Sequence, residues 1–176
     1  MKYKEIIIES KLELPYRLID IDESGEHFIF QFNEFDDKQT DYSIRTGGVT
    51  GKFGIIYSGK GMECSFDCDI TIGNVLAFAI ALENAYDNMN DRKAVLENYG
   101  SLNRTYLSVT LDRKGHCKVT GKFLNKDNFY KSGISFSFEL DQTYIADIIR
   151  KTDIFFKELY RIQGHNRYYY SNSTLD

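Results

Sequence analysis

The chain has 176 residues, of which 42% are hydrophobic and 15% aromatic, and its formal net charge at pH 7 is −4. This composition excludes a largely disordered protein, and the length predicts one domain with a sizeable core. The negative charge argues against direct nucleic-acid binding through phosphate contacts. Residues 1–41 hold 11 acidic and 5 basic residues, which indicates either an acidic surface or an ordinary set of solvated strand faces.

The N-terminus contains three consecutive isoleucines but no long apolar segment, so no secretory signal is predicted. No apolar run approaches the ~20 residues of a membrane span. We therefore expect a cytoplasmic protein with no membrane partner. In that compartment Cys64, Cys68 and Cys117 are expected to be reduced thiols.

Strands are predicted over most of the first 70 residues. Segments 16–22 and 27–35 form an expected hairpin, with three phenylalanines on one face of the second arm. Glycines interrupt 42–58, which favours a glycine-bent strand pair over a phosphate-binding loop, because no Gly-Lys-Ser/Thr is present. Residues 62–70 alternate more regularly than any other segment.

A helix is predicted after Thr71, which is a suitable N-cap, and a short second helix is predicted around residues 94–96. Three strands follow, each with one apolar and one polar face, and Gly115 supplies the first turn between them. A last helix begins after its expected cap, Asp141, and Gly164 is its predicted end.

This order of elements is typical of an α+β fold with segregated layers. We predict largely antiparallel β-sheet or sheets packed against two main α-helices in a single domain. That domain covers residues 1–163, and residues 164–176 form a C-terminal tail. No internal repeat is evident from the sequence.

Four acidic residues surround the loop that follows segment 27–35: Glu34, Asp36, Asp37 and Asp41. Such a cluster can steer a basic partner and raise its association rate, or it can simply solubilise a loop. It is the candidate interface for a protein partner.

From the remaining polar residues we predict no catalytic residue, no metal site and no cofactor. Glu63, Asp67 and Asp69 share a strand face, which favours a solvated surface over a metal or acid–base site. Cys64 and Cys68 are four positions apart on one strand, which is about 13 Å and too far for one zinc ion. His116 would need an orienting acid and a nucleophile, and the sequence places neither.

Two segments carry a family resemblance. The first reads Gly115-His116-x-x-Val119-x-Gly121, and the second ends in Phe138-Glu139-Leu140-Asp141-Gln142-Thr143-Tyr144. Both segments resemble the WapI family of bacterial immunity proteins. The upstream helix with Phe78, Leu82 and Glu83 also fits, and the likeness covers about residues 50–160.

The resemblance implies a protein that binds and neutralises a cognate toxin domain of a polymorphic or contact-dependent toxin, by stoichiometric inhibition without catalysis. An acidic inhibitor would suit a basic, nuclease-type toxin, because complementary charge speeds capture. The alternative is a small-molecule-binding protein or an enzyme that uses a sheet–helix cleft. A sheet-based assembly protein is a third possibility, and the sequence leaves the oligomeric state open.

Overall fold

The structure is a computed structural model that describes residues 11–35, 50–88, 92–99, 103–126 and 131–163. Four strands and a helix are followed by four more strands and another helix. The first five elements are β1 (Tyr16–Glu23), β2 (Glu26–Phe35), β3 (Thr50–Gly59), β4 (Met62–Thr71) and α1 (Ile72–Asn88). The others are β5 (Arg92–Tyr99), β6 (Asn103–Leu111), β7 (Cys117–Lys126), β8 (Lys131–Leu140) and α2 (Gln142–Gln163).

Both sheets are antiparallel meanders, in the orders β1-β2-β3-β4 and β5-β6-β7-β8. The predicted α+β class with antiparallel sheets and two main helices is confirmed. The chain thus repeats a ββββα motif, which the sequence did not reveal. The tetrapeptide Thr-Gly-Lys-Phe occurs once in each motif, but at different places in the two sheets. Gly51 pairs with Ile70 near one end of β3, whereas Gly121 pairs with Phe136 within β7.

The chain divides into two compact units, residues 1–76 with 151–176 (unit 1) and residues 77–150 (unit 2). Unit 1 contains strands β1–β4 and the C-terminal part of α2. Unit 2 contains strands β5–β8, most of α1 and the first part of α2. The predicted tail, residues 164–176, lies outside the described residues, so its prediction stays untested.

Aromatic rings fill the inner face of the sheet in unit 1. Phe30 and Phe53 stack with ring centroids 5.0 Å apart, and Phe32 meets Phe53 edge-on at 5.4 Å. Phe155 of α2 lies 5.1 Å from Phe32 and stacks with Tyr16 at 6.0 Å. Each such pair contributes about 0.5–1.5 kcal/mol beyond the burial of its area. These contacts attach the C-terminal part of α2 to the sheet.

Two-residue turns close the β1–β2 and β3–β4 hairpins of unit 1. Ser24 and Gly25 have φ of 53° and 78°, and Lys60 and Gly61 have φ of 52° and 77°. Two consecutive positive φ angles define a type I′ turn, whose twist matches that of the flanking strands. The predicted hairpin over segments 16–22 and 27–35 is therefore confirmed as β1 and β2.

The short helix predicted around residues 94–96 is wrong, because these residues lie within β5. Ala94 and Leu96 are fully buried and pair with Val109 and Leu107 of β6. A three-residue apolar run is too short to distinguish a helix from a strand by its period. Pairing with β6 decides the outcome.

No helix among the described residues is long and apolar enough to cross a bilayer.

Candidate functional site

The structure describes one of the four acidic residues predicted at the interface. Glu34 lies near the end of β2 and pairs with Lys52 at 2.8 Å. Asp36, Asp37 and Asp41 lie outside the described residues. Of the predicted interface, the structure therefore places only Glu34, which lies on the outer face of the sheet in unit 1.

We call that outer face the acidic face. Because side chains alternate along a strand and cross-strand partners share a side, the register assigns its members. Its charged or titratable residues are Arg17, Asp20, Asp22, His27, Glu34, Lys52, Glu63, Asp67 and Asp69. Acidic residues thus outnumber lysine and arginine by six to two on this face.

Asp20 links two strands of the acidic face. Its carboxylate lies 2.8 Å from Arg17 Nη1 and 2.9 Å from His27 Nε2. Partial burial alone would raise the pKa of Asp20, but the hydrogen bonds with His27 and Arg17 outweigh it and hold that pKa below its ordinary value. Asp20 is therefore charged at neutral pH.

A row of amides crosses the middle of the acidic face. Gln31 donates to Asn33 Oδ1 at 3.0 Å, and Asn33 donates to Asp67 Oδ1 at 3.1 Å. Asn33 occupies an irregularity in the β2–β3 register, and bulges of this kind re-aim side chains. The Gln31 and Asn33 side chains pack against Gly54, where an added Cβ would lie 3.1 Å from each of them. The row holds Asp67 in a defined position at the surface.

The described residues contain no group of three or more His, Cys, Asp or Glu side chains that could hold a metal ion. Cys68 and Cys117 are buried free thiols, and Cys64 is a partly buried one. Burial raises the pKa of the Cys117 thiol to about 12. These cysteines pack as small core residues.

Sequence reasoning missed a buried carboxylate in unit 1. Glu26 is 7% exposed and accepts hydrogen bonds from Tyr57 Oη at 2.9 Å and from Lys60 Nζ at 2.7 Å. The bond from Lys60, followed by that from Tyr57, holds the pKa of Glu26 below its ordinary value despite burial. Burial, then the bond to Glu26, raises the pKa of Tyr57 to about 12. This cluster closes one end of the sheet.

The structure supplies the orienting acid that the sequence did not place beside His116. Asp112 Oδ2 lies 2.8 Å from His116 Nδ1, and Asp112 Oδ1 accepts the backbone N–H groups of Lys114 and His116 at 2.8 and 2.9 Å. With Nδ1 engaged, Nε2 is the ring nitrogen left for a ligand or a proton. The signal was local, because Asp112 precedes His116 by four residues across a glycine turn.

The two segments that carry the family resemblance meet at this turn. Gly115 has φ of 84°, and a Cβ added there would lie 2.8 Å from Gln142 Oε1. Asp141 Oδ1 accepts the N–H of Thr143 at 2.8 Å, so the predicted cap of the last helix is confirmed. The glycine turn and the start of α2 therefore form one junction within unit 2.

The outer face of the sheet in unit 2 has the opposite charge, and we call it the basic face. Its register aligns three cross-strand rows of side chains. The first row is Lys93, Thr110, Lys118 and Glu139; the second is Val95, Ser108, Thr120 and Ser137; the third is Glu97, Tyr106, Lys122 and Ser135. Arg104 lies beyond the third row.

No protein-family model matches this chain, and no curated protein matches it either. The resemblance to the WapI family therefore stays a prediction that depends on the residues quoted for it.

Proposed function

We propose that this protein is an immunity protein that binds a cognate toxin domain and neutralises it by stoichiometric inhibition. The motif resemblance supports the proposal, and Gly115, Asp141 and Gln142 have structural roles within those motifs. Such residues maintain a scaffold, whereas an inhibitor needs an exposed surface that fits its partner. The proposed site of action is the cytoplasm.

The acidic face is the single observation that carries the proposal. Glu34, Glu63, Asp67 and Asp69 are all exposed on one side of a four-stranded sheet. The Lys52 and Asn33 side chains hold Glu34 and Asp67 in place, which lowers the entropy cost of binding. A surface of this charge fits a basic protein and would speed its association. The proposed interface thus extends the predicted Glu34 cluster across β2, β3 and β4.

Calorimetric titration against the toxin domain encoded beside this chain tests the proposal. We expect one-to-one binding, and toxin activity that falls in proportion to the inhibitor added. The charge-reversed variant Glu63→Lys/Asp67→Lys should bind at least about tenfold more weakly, mainly through a slower on-rate. Its matched control, Glu83→Lys/Asp87→Lys, reverses two exposed charges of α1 and should bind within about twofold of the parent protein.

Absence of binding at both low and moderate salt would contradict the proposal for that toxin. Equal loss in both variants would show that net charge matters and the acidic face does not.

A second candidate is an enzyme or a small-molecule-binding protein, and the Asp112–His116 pair is the observation that favours it. A histidine oriented by a carboxylate is a common catalytic arrangement. The same titration separates the two candidates, because a protein that acts on a small molecule would form no one-to-one complex with the toxin domain. A stoichiometric inhibitor that uses the acidic face would keep its one-to-one endpoint in His116→Ala.

A further inference from the structure

We propose that the basic face of unit 2 binds an acidic segment of a protein partner, through carboxylates that pair with Lys118, Lys122 and Arg104. This surface is separate from the acidic face, and the inference goes beyond the proposed function.

The cations of the basic face are available for a partner. Lys118, Lys122 and Arg104 are exposed, and none of the three forms an ion pair with any described residue. On the acidic face, by contrast, Arg17 is paired with Asp20 and Lys52 with Glu34. Unpaired charge on one sheet face gives a field that an oppositely charged partner can neutralise.

The cations lie on both sides of an uncharged row. Lys118 and Lys122 are four residues apart on β7, which is about 13 Å along the strand. Between them Thr120 Oγ1 and Ser137 Oγ form a 3.1 Å hydrogen bond, and Ser108 is buried in the same row. An extended chain needs roughly 5 Å of width. It fits along this row, with carboxylates that reach a cation on either side.

The observations favour a protein over a nucleic acid. Tyr106 of this face already has the Lys93 ammonium 5.0 Å from its ring centroid, and its hydroxyl accepts a hydrogen bond from Lys93 Nζ. It therefore offers no free platform for a base, which single-strand binding requires. Glu97 and Glu139 also interrupt the positive rows and would repel a continuous phosphate backbone. Separate cations about 13 Å apart instead suit the individual carboxylates of an acidic peptide.

The test uses the full chain and fluorescein-labelled decaglutamate, with decaglutamine as the uncharged control peptide. Fluorescence anisotropy at about 150 mM salt, where surface charges are screened beyond ~8 Å, reports local pairing. We expect Lys118→Glu/Lys122→Glu to weaken decaglutamate binding by at least about tenfold. The matched control, Lys11→Glu/Lys114→Glu, has the same net charge and alters exposed lysines outside the face. It should change binding by less than about twofold.

Circular dichroism and the thermal midpoint establish that each variant folds. If the charge-reversed variant does not fold, Lys118→Gln/Lys122→Gln removes the same cations without adding repulsion, and it should still weaken binding severalfold.

Three results would overturn the inference. Equal weakening in the control variant would reveal a general charge effect. Tighter binding of oligothymidylate than of decaglutamate, lost in Lys118→Glu/Lys122→Glu, would assign the face to nucleic acid. A mass that rises with protein concentration, is reduced by the same variant and occurs without peptide binding would assign it to a second copy of the chain.

Discussion

Glu26 shows how a single residue can make stability depend on pH. Its carboxylate is buried and charged, and it remains so because Tyr57 and Lys60 both donate to it. A buried charge that loses its partners is costly, so this cluster is a point of sensitivity in unit 1. Glu26 lies more than thirty residues before Tyr57 and Lys60; it directly follows one type I′ turn, and Lys60 lies within the other. Pattern analysis could not join them.

We expect Glu26→Gln to lower the free energy of unfolding by about 1–3 kcal/mol at pH 7, because a charge-assisted pair is lost. The pKa of Glu26 in the folded protein lies below the ordinary value of 4.5, so as the pH falls the unfolded chain takes up this proton before the folded protein does. The stabilisation is therefore complete above that value and is lost as the pH falls through the folded pKa. Urea unfolding of the parent protein and of Glu26→Gln between pH 7 and pH 3 measures the difference in their free energies of unfolding, which should become smaller as the pH falls.

Glu63→Gln is the matched control, since Glu63 is an exposed carboxylate of the same sheet. If the difference in free energy of unfolding between the parent protein and Glu26→Gln stayed constant across this pH range, the buried Glu26 carboxylate would not be the source of the pH dependence.

At the scale of elements, the prediction succeeded where local patterns carry the information. Alternating faces predicted β1, β2 and β4, and Asp141 predicted the start of α2. It failed at β5, where pairing with β6 outweighed a short apolar run. It also could not reveal the ββββα repeat. Two motifs share a topology when their apolar and polar residues alternate in the same way, and this requires few identical residues at equivalent positions.

Gly121 in β7 is a position where strand packing depends on a missing side chain. An added Cβ would lie 2.3 Å from the Phe136 ring and 2.9 Å from the Phe123 ring. We expect Gly121→Ala to destabilise the protein by about 1–3 kcal/mol through overpacking. Chemical denaturation of Gly121→Ala, Phe136→Leu and the double variant gives the coupling between the two sites. The double variant should recover part of the loss, and strict additivity would contradict this account.

At the scale of the whole molecule, equivalent faces of two similar motifs carry opposite charge. For the candidate site on the acidic face, the sequence predicted an acidic surface and singled out Glu34, which is an exposed residue of that surface. It did not predict the basic face, because a net charge of −4 conceals a local excess of lysine and arginine. Only the strand register assigns Lys93, Lys118 and Lys122 to one side of a sheet.

The acidic and basic faces share no strand, so their binding reactions should be independent. We expect Lys118→Glu/Lys122→Glu to leave toxin affinity within about twofold at about 150 mM salt, and Glu63→Lys/Asp67→Lys to leave decaglutamate affinity equally unchanged. Calorimetry and anisotropy on the same protein preparations measure both. Loss of both activities in either variant would indicate one composite surface.

The meander order has a consequence for biosynthesis. Every strand of the first sheet pairs with its neighbour in the chain, and the β1–β2 and β3–β4 connections are two-residue turns, so these hairpins can form early on the ribosome. Phe155, which packs against Phe32 and Tyr16, is translated more than a hundred residues after both of them. Until then the part of the aromatic side that Phe155 covers in the folded protein remains exposed. A nascent chain stalled before α2 would thus need chaperone protection although its strands were already paired.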